Sequence, residues 1–395
     1  MNDPSSREKA LNNEASLREI TKFDFVDALR GWALLAVMMG HVNSRMFGFS
    51  HVLKNVAEHG AYGVQLFFVV SAFTLFFSFF SREGCKEKTV QAFLIRRLFR
   101  IVPMFWIAIL FYLGVNGFRH LYGDPQEITA WRILATVFFI HGWSPQTINN
   151  VVPGGWTIAI EMNFYLLLPF LYQKIKSLNK AIFFFFATLT FSFLANALFG
   201  KWLMATDIPV NQTEPFLYFW LPHQLPIFSL GFILFFLLRE RLGRTGACPD
   251  PGMKKTDNLT AWTLMGLSAV CFFSGWCLRG AGDFNYPQIP VGIGFLCVAW
   301  ALAISPLPFF VNRFTCYVGK ISYSGYLCHF FIADIVMKIL IWLGMKYNLP
   351  FRPNLYYAAA FLATLVGTLS VSTLSYAWIE QPFQDFGKKI IRKYL

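Results

Sequence analysis

Residues 356–378 read YYAAAFLATLVGTLSVSTLSYAW, an unbroken run without an Asp, Glu, Lys or Arg. About 20 consecutive apolar residues are what an α-helix needs to cross the hydrocarbon core of a bilayer. The stretches 183–199, 216–238 and 259–278 are as poor in charge, and apolar runs recur with short polar breaks from Phe25 onward. Of 395 residues, 56% are apolar, 18% are aromatic (46 of them Phe) and 14% are charged, where a soluble domain carries about 25% charged residues. One or two soluble cores do not absorb runs of this length and order. The sequence therefore predicts an all-α, polytopic transmembrane helix bundle in a lipid bilayer.

The first 24 residues are polar and mixed in charge, with neither an apolar h-region nor a small-residue cleavage site. They read as a cytoplasmic tail with room for a short helix near Leu17–Ile20. The seven cysteines (Cys85, Cys248, Cys271, Cys277, Cys297, Cys316, Cys328) form no C-x-x-C pair and mostly sit in or beside apolar runs. They read as packing residues, and no metal is expected. The net charge of +13 is carried largely by four basic segments, 82–100, 174–180, 239–255 and 388–393. Cytoplasmic loops are enriched in Lys and Arg. All four segments fall inside if both termini are cytoplasmic and residues 131–140 form a half-helix that does not cross. That gives about ten spans: 25–45, 63–80, 101–117, 156–173, 181–199, 216–238, 259–278, 289–304, 315–343 and 356–378. A basic cytoplasmic tail follows at 384–395, and the expected location is a bacterial inner membrane.

The chemistry begins in the first span, DALRGWALLAVMMGH at 27–41. Ionisable groups inside a membrane helix are costly, which makes each a functional candidate. Arg30 and His41 are eleven positions apart, three turns plus about 20°, so they share one face across roughly 16 Å of rise. Arg30 lies near the cytoplasmic end and could also snorkel to headgroups. His41 is too deep for that, though it could serve as interhelical glue. The residues alone also leave open a proton-coupled transporter or flippase using Arg30, His41 and Glu161 as a relay.

Six segments in order carry a resemblance. Arg30-x10-His41 resembles the first-helix motif of the acyltransferase-3 family of integral membrane acyltransferases. GVQLFFVVSAF at 63–73, FLIRRLFRIVP at 93–103, PGGWTIAIEMNFY at 153–165, ISYSGYLCH at 321–329 and IEQPF at 379–383 are similar to later segments of the same family. Two positions depart from it: Gln65 stands where many members carry Asp, and Ala72 replaces a common Gly. The resemblance implies that residues 25–383 form a membrane O-acyltransferase domain. It would move an acyl group, acetyl first among the candidates, from acyl-coenzyme A to a hydroxyl of a cell-surface or lipid-linked carbohydrate. No permanently bound cofactor and no nucleic-acid partner are expected.

With that reaction in view, His41 is the expected general base, because a neutral imidazole can take the hydroxyl proton near neutral pH. Glu161 is expected at the depth of His41, orienting it and stabilising the imidazolium, with Gln65 in the same layer. Arg30, Arg96, Arg97 and Arg100 suit the donor's phosphates, since the guanidinium fork binds phosphate oxygens in pairs; the positive-inside bias accounts for the same cluster. Ser71 is a conceivable nucleophile, although a membrane-helix serine more often bonds its own backbone. Trp156 and Tyr165 suit an aromatic platform or an interfacial belt. His329 lies mid-span, as site lining or as packing.

Overall fold

The computed structural model describes residues 23–45, 50–82, 89–117, 128–245, 251–278, 286–348, 350 and 352–395. The expected N-terminal tail lies outside them up to residue 22, as do Cys85 and Cys248. Among the described residues every regular element is helical. The first group is α1 (Asp24–Asn43), a short α2 (His51–His59) and, after a tight turn, α3 (Gly63–Phe80). Then come α4 (Thr89–Asn116), the short α5 (Ala130–Val137), α6 (Gly155–Lys174), α7 (Leu178–Met204), α8 (Val210–Phe219) and α9 (Leu221–Thr245). The last group is α10 (Pro251–Leu278), α11 (Gln288–Ile304), α12 (Arg313–Lys320), α13 (Ser322–Lys346), α14 (Pro353–Ser375) and α15 (Gln381–Tyr394). Eight helical stretches are long and apolar enough to cross a membrane; the sequence count of ten adds α6 and α11. The protein is an integral membrane protein built as an all-α bundle.

Where a helix sits decides what its surface looks like. α3 and α9 form the centre, α3 packing on α1, α9 and α11, and α9 also on α7. Phenylalanine rings fill the space between them, with Phe228 stacked on Phe68 at 4.5 Å and on Phe164 at 4.1 Å. The outer helices α7 and α10 leave Phe183, Leu198, Leu259 and Phe273 exposed, as lipid-facing helices do. On the inner side α1 and α12 touch backbone to backbone. A Cβ on Gly31 would fall 2.2 Å from the Thr315 carbonyl oxygen, and one on Gly319 would fall 1.7 Å from the Asp27 carbonyl oxygen. Small residues permit this approach between helices in lipid, where dispersion and not hydrophobic exclusion holds them.

The expected half-helix is α5. Its eight residues rise about 12 Å, against a hydrocarbon core of about 30 Å. The Thr129 side chain caps its start by accepting from Arg132 N–H. The chain then reverses through Phe139, at φ 61°. His141 pins the returning segment, its Nε2 lying 3.1 Å from the Gly155 carbonyl at the start of α6.

Four expectations are corrected. The run 216–238 is not one helix: it breaks at Trp220 between α8 and α9, because Pro222 in the first turn of α9 has no N–H to give back to the preceding turn. The run 315–343 breaks at Ile321 between α12 and α13. The free N–H groups of the new helix need a partner, and Glu380 supplies one, accepting from the Ser324 N–H at 3.1 Å and from its hydroxyl. Arg96, Arg97 and Arg100 are not in a loop, because α4 runs unbroken from Thr89 through Pro103. The residues expected as a C-terminal tail from 384 form α15, which packs on α4 with Gly387 against Phe99.

The basic segments meet at one end. Lys176 lies 4.0 Å over the Tyr172 ring, which packs on Phe76 and Phe79 at the end of α3. Arg239 lies 5.2 Å over Phe80, and α15 with Lys388 joins through α4. Arg30 is at this end of α1, and His41 is toward the other.

Candidate active site

Arg30 is held from two sides. Its guanidinium donates to Thr74 Oγ1 on α3 at 3.1 Å and pairs with Asp27, one turn back, at 3.6 Å. It opens onto a narrow cavity of about 70 Å³ shared by Arg97, Arg100, Ser71, Glu161, Tyr165 and Tyr323. Helical spacing explains which arginines enter. Arg97 and Arg100 are three apart and share a face, whereas Arg96 is turned about 100° from Arg97 and does not line the cavity. The Arg97 guanidinium lies over the Phe93 and Tyr165 rings at 5.6 and 5.9 Å, and its buried Nε has no hydrogen-bond partner among the described residues. Three guanidiniums thus face one carboxylate, Glu161, which accepts a hydrogen bond from the Ser71 hydroxyl. Chemically the pocket offers cationic donors to an anion.

His41 faces a second, larger cavity of about 420 Å³ with a different character. Its walls include Gln65, Trp156, Tyr218, Phe219, Asn149, Asn150 and Gln212. The His41 ring lies 4.2 Å from Phe330 and 5.3 Å from His329, centroid to centroid. His329 is fully buried, with Nδ1 2.8 Å from the Tyr326 carbonyl. That bond makes Nδ1 the protonated nitrogen and leaves Nε2 as an acceptor with no partner. Gln65 is 1% exposed and donates through Nε2 to the Tyr218 hydroxyl (3.3 Å) and to Gln224 Oε1 (3.4 Å). Trp156 stacks on Phe219 at 4.3 Å. Arg45, past the end of α1, donates to the His41 carbonyl at 2.7 Å and bonds Asp334 on α13, which ties that end of α1 to α13.

The two cavities have Val64 and Tyr326 in common, so they adjoin along the face of α1 that carries Arg30 and His41. Tyr326 is fixed at the junction by its hydroxyl, which donates to the Gly154 carbonyl at 3.2 Å.

The expected pairing of Glu161 with His41 is not what the structure contains. His41 and Gln65 share a cavity, but Glu161 belongs to the other one, against Ser71. The reason is arithmetic along the helix. α6 begins at Gly155, so Glu161 lies about 9 Å in, and Ser71 is about as far below Gln65 on α3. Of the aromatic candidates, Trp156 lines the His41 cavity and Tyr165 the arginine cavity. His329 packs beside His41 but is not in the wall. Tyr326, Asn149, Asn150, Gln212 and Phe219 were not legible as site residues. The first lies one turn before a noticed histidine; the others are amides and an aromatic in or near a loop, with no spacing to mark them.

Comparison with known proteins agrees in kind. Nodulation protein 10 of Rhizobium leguminosarum bv. viciae is 26% identical over 352 residues, covering 84% of this chain and 84% of that protein. The exopolysaccharide production protein ExoZ of Rhizobium meliloti (strain 1021) is 26% identical over 356 residues, 86% of this chain and 95% of that one. A Staphylococcus aureus (strain COL) protein provisionally named an O-acetyltransferase, SACOL0978, is 24% identical over 386 residues, 93% of this chain and 58% of that one. No solved structure matches the chain. The acyltransferase domain profile matches residues 23–373, almost the whole bundle including both cavities, and the chain belongs to the acyltransferase-3 family of membrane acyltransferases.

Proposed function

We propose that the protein transfers an acyl group from acyl-coenzyme A, bound at the Arg30 end, to a hydroxyl of a cell-surface carbohydrate that enters from the His41 end. The observation that carries this reading is the pair of adjoining cavities with opposite chemistry, one lined by three guanidiniums and one with no Asp, Glu, Lys or Arg among the described residues of its wall. Arg30, Arg97 and Arg100 suit phosphate, and the unpartnered Arg97 Nε is a donor awaiting an anion. The narrow cavity suits a pantetheine arm better than a nucleotide, so the adenine end would stay at its mouth. The thioester would then reach the junction at Tyr326 and Val64. There the acceptor oxygen attacks the thioester carbon as His41 removes its proton. The C–S bond breaks, the thiolate takes the proton from the imidazolium, and the acyl ester and free coenzyme A leave on opposite sides. Glu161 serves the donor side in this reading, holding Ser71 and offsetting the buried arginines. The relatives' names, an exopolysaccharide production protein and an O-acetyltransferase, favour acetyl transfer to a polysaccharide unit.

The test is thiol release from acetyl-coenzyme A by purified protein in nanodiscs, with and without an oligosaccharide acceptor. Acceptor-dependent release that disappears in His41→Ala is expected. A protein that does not bind acetyl-coenzyme A would sink the reading.

A further inference from the structure

The wall of the His41 cavity says what kind of acceptor unit fits it, an inference that rests on the transferase reading above. Among the described residues none of Asp, Glu, Lys or Arg lines this cavity. Beside His41 and the Tyr218 and Tyr326 hydroxyls, its polar wall is a set of amides that includes Gln65, Asn149, Asn211 and Gln212, and its apolar wall includes the Trp156–Phe219 stack. Two of the amides are unsatisfied. Gln65 is 1% exposed, and its Oε1 is buried without a hydrogen-bond partner, although its Nε2 donates to Tyr218 and Gln224. Asn149 Oδ1 is also buried and without a partner. Buried polar atoms in native proteins are rarely left so, and the described residues supply a donor to neither of these acceptors.

We propose that this cavity binds one uncharged sugar ring, whose hydroxyls donate to Gln65 Oε1 and Asn149 Oδ1 while a ring face lies toward Trp156 and Phe219. A hydroxyl can donate to an orphaned carbonyl oxygen and still accept from a neighbouring amide N–H. A carboxylate or phosphate standing where one of those hydroxyls would be cannot donate to the carbonyl beside it, and among the described residues it meets no Lys or Arg in the wall. The volume of about 420 Å³ lies within the range of small-molecule sites, roughly 300–1,000 Å³. Among the described residues, the cations that line either cavity, Arg30, Arg97 and Arg100, are on the donor side of Tyr326, while Arg45 at the other end is turned to the His41 and Phe330 carbonyls and to Asp334, so the two cavities sort their substrates by charge. The acylated unit is therefore a neutral sugar, even where the polymer it belongs to carries uronic acids elsewhere.

The experiment compares a glucose tetrasaccharide with the same tetrasaccharide whose terminal unit is oxidised to glucuronic acid. Binding to purified protein in nanodiscs is read by tryptophan fluorescence, and thiol release from acetyl-coenzyme A is read in parallel. The neutral sugar should bind more tightly by about tenfold, the order expected when buried polar groups are left unpaired by the wrong ligand. Gln65→Leu should lose most of that neutral-sugar binding. Asn149→Arg, at a partly exposed position, should narrow or reverse the preference toward the uronate. Equal binding of the two sugars by the wild type, or binding of neither, overturns the proposal whatever the protein does with the donor. Sugar bound with no thiol released overturns the transferase reading instead and leaves the binding site standing.

Discussion

His41 and Glu161 belong to different cavities, and that separation gives them separable kinetic roles. His41→Ala removes a base that acts as the hydroxyl attacks, so turnover should fall by roughly 10²–10⁴-fold with acetyl-coenzyme A affinity nearly unchanged. Arg97→Ala removes a contact to groups present equally in the ground and transition states, so it should raise the donor KM more than it lowers kcat. Glu161→Gln should behave like an arginine change and not like a milder His41→Ala, because its hydrogen-bond partners, Ser71 and Tyr165, line the arginine cavity. Calorimetry of coenzyme A binding beside steady-state rates distinguishes these patterns; a Glu161→Gln enzyme with intact donor affinity and a slow chemical step would return Glu161 to the side of His41. At this scale the sequence marked most of the charged and polar residues that line the two cavities and was a poor guide to which of them meet. Arg30 and His41 lie on one helix, so their relation follows from helical periodicity. Glu161 and His41 lie on different helices, and their relative depth depends on where α6 begins, which a hydropathy profile does not fix to within a turn.

Elements show the same division. The apolar runs located the helices, but the breaks at Trp220 and Ile321 depend on groups far away in sequence. Glu380, which caps α13, is 56 residues from its partner Ser324. The start of α6 is the most exacting break near the site. Gly154 has φ 72°, and a Cβ there would lie 2.9 Å from both the Phe330 ring and the Tyr326 hydroxyl. A non-glycine residue in the left-handed region costs about 1–3 kcal/mol, and here the added methyl also pushes on the two rings beside the junction. Gly154→Ala should therefore lower the unfolding temperature modestly. It should reduce transfer to acceptor by a larger factor than it reduces coenzyme A binding, because Tyr326 and Phe330 line the His41 cavity. Thermal unfolding of the detergent-solubilised protein, paired with donor-binding calorimetry, checks both halves. Equal loss of donor binding and transfer would mean that the glycine serves only the fold.

For the whole molecule, charge placed the four basic segments on one side before any helix was positioned, and the bundle brings them to one end through contacts that do not depend on charge. Lys176 rests on Tyr172 and Arg239 on Phe80, while Lys388 belongs to α15, which packs on α4. The proposed function needs that end to be cytoplasmic, as the positive-inside bias expects, since the proposed donor is made there. Asn211 is exposed in the first turn of α8 and lines the opposite cavity, so it should face outward. Single cysteines at Lys176, Lys388 and Asn211, in a background without the native cysteines, turn this into a sided measurement in intact cells. An impermeant maleimide added outside should label Asn211→Cys and spare the other two until the membrane is opened. Lys176→Cys and Lys388→Cys labelled from opposite sides would contradict the bundle itself, because an odd number of crossings would then separate them, where α7, α9, α10, α11, α13 and α14 make an even number. If both are labelled from outside with Asn211→Cys protected, the bundle stands but is inverted, and the arginine cavity then faces away from the coenzyme A pool. In that orientation Arg30, Arg97 and Arg100 need another anion, and the transfer direction proposed here is lost even though both cavities remain.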